Sequence, residues 1–213
     1  MNFLSNSAPS AATTFGSIVH DHIAEPCLVD GTAAICKLGH RVEVDGQSHE
    51  ITTEMVATCQ PYLDYVRSQP GTLLVEFTLP IAHIVDEPGA VGTPDAVLLR
   101  DDGFSVIDLK TGNNPRNKIL AAGNLQLTIY AMAVADYFGF IGNFEHVQLA
   151  IVQPRLQHIS ETEGHRFYQA PQSTPVINSV DIVPTAPPVL NGWNFQHVPL
   201  RTNLIPFIEE KYM

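Results

Sequence analysis

Apolar and polar positions change period several times along the chain, and each change marks an element. Gly16–Leu28 (GSIVHDHIAEPCL) has helical spacing, with Thr14 or Ser17 near its start and Pro26 limiting its end. Arg41–Thr52 alternates around Asp45-Gly46, which predicts a small hairpin. Ile51–Ser68 places Met55, Cys59, Tyr62, Leu63 and Val66 on one helical face, with Pro61 expected to kink it. Thr72–Pro80 is a strand with Glu76 as its one charged residue. Gly92–Lys110 is a stronger hairpin turning at Asp102-Gly103, Ile119–Gly139 a long helix, and Phe144–Arg155 another strand. Helices on either side of paired strands predict an α/β fold, a central mixed β-sheet flanked by helices.

Three segments follow. Residues 1–14 are small and polar and are expected to be a flexible N-terminus. Residues 15–166 carry all the periodic elements. Residues 167–213, rich in Pro, Gln and Asn, form a C-terminal extension.

One apolar strand raises a chemical question. In Phe104–Gly112 (FSVIDLKTG), Asp108 and Lys110 interrupt the run two residues apart and therefore share a face. With Asp102-Gly103 as a two-residue loop, Asp108 faces Val97 and Lys110 faces Asp95, so Asp95, Asp108 and Lys110 converge. A one-residue slip would send Asp95 to the other face. Neighbouring carboxylates repel and are costly to bury. A hard divalent cation, Mg²⁺ or Mn²⁺, relieves both penalties, and a lysine beside it can orient a water for attack on a phosphodiester. An ordinary Asp–Lys ion pair at a strand end is the bland alternative.

The 213 residues are 45% apolar and 15% charged, enough for one well-packed domain. No run is long enough to span a bilayer, and the N-terminus lacks the pattern of a signal peptide, so a cytoplasmic protein is the expectation. The net charge of −11 argues against coating DNA through a broad basic surface, but not against a metal-neutralised site with local basic contacts. Cys27, Cys36 and Cys59 form no C-x-x-C pair, which argues against structural zinc or an iron–sulfur cluster. No P-loop is present, so no bound nucleotide is expected.

Taken in order, GSIVH ending at His20, GTPD ending at Asp95, DLK at Asp108–Lys110 and QLTIY at Gln126–Tyr130 resemble the motifs of the PD-(D/E)XK nuclease superfamily, RecB-like branch. With VEVDG and IVQPRLQHIS, the similarity narrows to a phage-type exonuclease group and covers roughly residues 16–165. The resemblance implies a restriction-endonuclease-like core and a metal-dependent DNA exonuclease. Asp95, Asp108, His20 and the Leu109 carbonyl would be metal ligands, with Glu76 near a second ion. Lys110 would hold the attacking water, while Gln126 and Tyr130 would place the DNA backbone. Arg116 and Lys118 are the nearest basic pair for phosphates, and Arg155 ends a strand on an undetermined side. "GTAA" at Gly31–Ala34 echoes the first motif but carries Ile35 where a histidine is needed. The expected setting is DNA recombination or processing in a phage-infected bacterial cell, with a single-strand annealing recombinase as a partner and a ring-shaped homo-oligomer for processivity. A structure-selective endonuclease and a non-catalytic DNA-binding accessory protein are the alternatives.

Overall fold

The computed structural model describes residues 10–142, 144–166 and 193–194. Its centre is a mixed sheet built from β3 (Thr72–Val75), β6 (Ala96–Leu99), β7 (Gly103–Leu109), β8 (His146–Gln153) and β9 (His158–Arg166), in the order β9-β8-β7-β6-β3. The two-residue β10 (Trp193–Asn194) adds to the outside of β9. β7 and β8 run parallel, which requires a crossover, and the other pairs are antiparallel. This is the expected α/β architecture. β9 was not anticipated, because its sequence HISETEGHR carries too few apolar residues to read as a strand; its ladder with β8 supplies the pairing.

The central strands are buried on both faces. On one side, Ile107, Leu109, Ala96 and Val152 pack with Ile18, Val19, Ile23, Tyr62 and Leu63 from the N-terminal helical segments and α3 (Thr53–Ser68). On the other, Val97, Val106, Leu149 and Ile151 pack against Leu127, Tyr130 and Val134 of α5 (Leu125–Phe138). Burying each large aliphatic side chain contributes about 1.5–3 kcal/mol, so these two layers anchor the sheet.

The first helical stretch starts earlier and runs further than its sequence predicts. Ser10 caps α1 (Ala11–Ser17), accepting from the Thr13 amide, so order begins inside the stretch expected to be flexible. A π-helical segment, Ile18–Ala24, follows directly, then α2 (Glu25–Asp30). Pro26 does not end the helix. It falls in the first turn of α2, where its missing N–H is not needed, and Gly31 closes the helix in the left-handed conformation at φ 69°. α3 likewise continues through Pro61, whose side chain is exposed.

β1 (Arg41–Val44) and β2 (Gln47–Glu50) form the expected hairpin, with Asp45 and Gly46 both at positive φ. Thr72–Pro80 is not one strand. β3 stops at Val75, Glu76 takes φ 48°, and β4 (Leu79–Pro80) pairs instead with β5 (Val91–Gly92). The short α4 (Ala82–Val85) bridges β4 and β5. The long helix begins only at Leu125, because Asn124 caps it through a bond from the Leu127 amide. Residues 1–9 and nearly all of the expected extension, 167–213, lie outside the described residues.

Candidate functional site

The β6–β7 hairpin sets the site. Its loop is Asp101-Asp102, closed by the Arg100 amide bonding the Gly103 carbonyl at 2.8 Å, rather than Asp102-Gly103. The register therefore pairs Ala96 with Ile107, two residues from the expected alignment. A shift of two preserves faces, so Asp95 still shares one with Asp108 and Lys110, but it now stands opposite Asp108. Gly103, the first residue of β7, lets that strand approach β8: a Cβ there would lie 2.1 Å from the His146 carbonyl oxygen.

Asp95 lies just before β6, and three groups converge on it. The Leu109 amide donates to Asp95 Oδ2 at 2.6 Å, and His20 Nδ1 lies 3.6 Å from the same oxygen. The Glu76 amide donates to the Asp95 carbonyl, which brings the Glu76 side chain alongside. One ligand atom each from His20, Glu76 and Asp95 falls within 4.8 Å of the others, an arrangement able to hold a metal ion. His20 sits in the π segment, whose wider turn is a recurrent feature of functional sites. Glu76 achieves its position only through a left-handed backbone that costs a non-glycine residue free energy.

Asp108 stands beside this trio rather than within it. Its carboxylate is ion-paired with Lys110, Nζ to Oδ2 at 2.8 Å. Lys110 also donates to Gln126 Oε1 at 3.2 Å, and Gln126 Nε2 donates to the Tyr130 hydroxyl at 3.1 Å. Asp108, Lys110, Gln126 and Tyr130 thus form one hydrogen-bonded chain from β7 to α5. Leu109 enters through its amide; its contact with the cluster is as a donor to Asp95.

The electrostatics separate the two carboxylates. Burial alone would raise Asp95, but the bond and charge of His20, with the Leu109 amide and Lys110, hold it below its ordinary value. Burial and then the Asp95 charge push Asp108 up to about 6. Burial and Asp95 likewise push Glu76 up to about 7. His20 is raised: burial opposes its charge, but Asp95 outweighs burial. Lys110 is raised for the same reason, with Asp108 and Asp95 overcoming burial. Glu76 and Asp108, the two raised carboxyls, would give up any proton they hold on binding a cation.

The motifs meet physically. A Cβ on Gly16 would lie 3.2 Å from Thr111 Oγ1, so the first helix lies close to the strand end carrying Lys110. A Cβ on Gly92 would come within 2.7 Å of the Tyr130 ring, so GTPD and QLTIY interlock through a glycine. Arg155 is committed elsewhere, bonding Glu54 Oε1 at 2.7 Å and lying over the Phe15 ring at 4.6 Å. Arg116 and Lys118 are exposed on the loop after β7, whose far end is tied down by Gln153 accepting from the Ile119 amide. "GTAA" contributes no ligand: Gly31 caps α2, and the Ala34 amide bonds Gln60.

A cavity of about 350 Å³, lined in part by Gln69, Arg100, His146 and Glu163, lies at the opposite end of β7 and β8 and takes no part in this cluster.

A protein-family model described as "Protein of unknown function (DUF2800)" matches residues 4–166. The chain belongs to that family. In this DUF2800 member, every residue of the cluster lies within the matched span. A solved structure titled "Crystal structure of SSO0001" is similar at 16% identity and a TM-score of 0.25, over 53% of this chain and 52% of that one. The chain thus spans about half the length of the structure it matches.

Proposed function

We propose that this protein is a metal-dependent deoxyribonuclease of PD-(D/E)XK type, working as an exonuclease on DNA. The observation that carries the reading is the placement of Asp95 across from Asp108 with Lys110 on the same face, while His20 and Glu76 converge on Asp95. Binding alone needs no buried, mutually repelling carboxylates backed by a lysine.

His20, Glu76 and Asp95 would hold the ion, with Asp108 adjoining; the proposed ion is Mg²⁺ or Mn²⁺. Such an ion, when bound, polarises a phosphate and eases ionisation of water. Lys110 offers three N–H groups. Asp108 and Gln126 take two, which aims the ammonium and leaves a donor for the attacking water or a phosphate oxygen. Tyr130 holds Gln126, and so fixes Lys110 indirectly. Arg116 and Lys118, exposed on the loop after β7, would meet the DNA backbone. DNA recombination in a phage-infected cell, a single-strand annealing partner and a ring assembly belong to the same proposal and rest on the motif resemblance.

The test uses linear duplex labelled at its 5′ or 3′ end, with Mg²⁺, Mn²⁺ or chelator. Digestion with either metal and none in chelator is expected. Lys110→Ala and Asp108→Asn should each reduce the rate by about 10²-fold or more. Lack of digestion by the purified wild type, or full activity of K110A, overturns the reading. Cutting of closed circles without prior nicks replaces the exonuclease with an endonuclease.

A further inference from the structure

Gln153, at the end of β8, is a polar side chain with only 1% of its surface exposed. A buried amide costs free energy unless its ends are bonded. Both ends are, and to the same short stretch of the loop between β7 and α5. Its Oε1 accepts from the Ile119 amide at 2.7 Å, and its Nε2 donates to the Asn117 carbonyl at 3.1 Å. The two peptide groups it grips are those on either side of Lys118.

The grip lies next to the cluster. The Lys110 amide donates to the Val152 carbonyl at 2.9 Å, which carries the parallel β7–β8 pairing one residue past Leu109 and Val152. Gln153 therefore follows on β8 where Lys110 follows on β7. Alternation puts both on the α5 side of the sheet, with Asp108 and Ile151. Ser160 of β9 holds the same loop again, its hydroxyl accepting from the Ala121 amide at 2.9 Å. Between these anchors the side chains alternate. Ile119 packs with the α5 cluster and Ala121 is buried, while Lys118 is exposed and Leu120 is 59% exposed. An aliphatic residue at position 153 would fill the space equally well; the amide adds a fixed place for Lys118. With a net charge of −11 most of the surface repels a duplex, so a cation near the cluster counts most when it is held where a phosphate arrives.

We propose that Gln153 is a positioning residue for DNA, holding Lys118 where its ammonium meets a backbone phosphate beside Asp95, Asp108 and Lys110. This rests on the nuclease reading of that cluster and adds to it the group that fixes one phosphate contact. Gln153 itself touches no substrate. Ordering the loop in advance removes that cost from the binding step.

The experiment measures KM and kcat for the full chain digesting end-labelled duplex with Mn²⁺, from about 50 to about 200 mM salt. One phosphate contact accounts for a log–log salt slope of about 0.9, so Lys118→Ala should flatten the salt dependence of KM by that amount and raise KM at least about threefold at the lowest salt. Gln153→Met, close to glutamine in shape, should raise KM in the same way, with kcat within about twofold of wild type. In the K118A background it should add nothing, since it acts only through Lys118, whereas a merely structural glutamine would add its full effect. A KM for K118A or Q153M within twofold of wild type, a Q153M defect confined to kcat, or effects that multiply in the double variant each overturn the Gln153 role and leave the nuclease reading standing. Absence of digestion by the wild type overturns both. Should Q153M not fold, Gln153→Asn, an amide one methylene too short to reach both peptides, is judged by the same outcomes.

Discussion

Asp95 and Asp108 are the same side chain at neighbouring positions of the sheet, yet their affinities for a proton are shifted in opposite directions. Asp95 is kept ionised by His20 and a backbone amide, while Asp108 is driven toward protonation by burial and by Asp95 itself. This has a measurable consequence. Glu76 and Asp108, at about 7 and about 6, bind protons more tightly folded than unfolded, where their ordinary values are 4.5 and 3.8. Their contribution is complete below those unfolded values and is lost as pH climbs through 6 and 7. His20, raised, acts in the same direction, and Asp95, lowered, matters only below its ordinary 3.8. The melting temperature in chelator should therefore fall between pH 5 and pH 8. Glu76→Gln should flatten that slope, which thermal melts at several pH values will show; an unchanged slope would remove Glu76 from the account.

At the scale of elements, glycines act as spacers between motifs. Gly92 allows β5 to lie against the Tyr130 ring, and the adjoining Ile81 side chain is 3.2 Å from the same point. Gly92→Ala should displace the ring and, through Gln126, loosen Lys110. Overpacking of this kind costs about 1–3 kcal/mol. Activity should fall more than stability, seen as a lower kcat with little change in metal affinity. Arg155 makes a different connection. Its guanidinium joins α1 through Phe15, α3 through Glu54 and the Lys110 strand end through the Thr111 carbonyl, at 3.4 Å. Arg155→Ala should lower the melting temperature by releasing all three, whereas a DNA-contacting arginine would leave it unchanged.

For the whole molecule, the three residues able to hold an ion come from the π segment, the break after β3 and the residue just before β6, so occupancy would brace three separate parts of the chain. A divalent ion at a hundred times its dissociation constant stabilises by about 2.7 kcal/mol. Mn²⁺ should therefore raise the melting temperature of the wild type, and more so at pH 8 than at pH 6, since ligation requires unprotonated carboxylates. Asp95→Asn should abolish the rise. Among the described residues, no helix is long and apolar enough to cross a membrane. The net charge of −11 makes any attraction for DNA depend on the local Lys110, Arg116 and Lys118, so binding should weaken with salt by a modest slope.

Alternation along β7 is local, so the common face of Asp108 and Lys110 was legible in the order of residues alone. The turn chemistry put Asp95 on that face too, even though the loop closed one residue earlier, because that moves the pairing by two and an even shift keeps sides. The hydrogen-bonded chain to Gln126 and Tyr130 was legible only as a helix face, since its partner lies on another element. Three features required the folded chain: the turn of His20 toward Asp95 through a π-helical segment, the left-handed Glu76 that breaks an apparently continuous strand, and the grip of Gln153 on the peptides either side of Lys118. Each depends on contacts between residues far apart in sequence, and spacing within a motif carries no information about where a distant element packs.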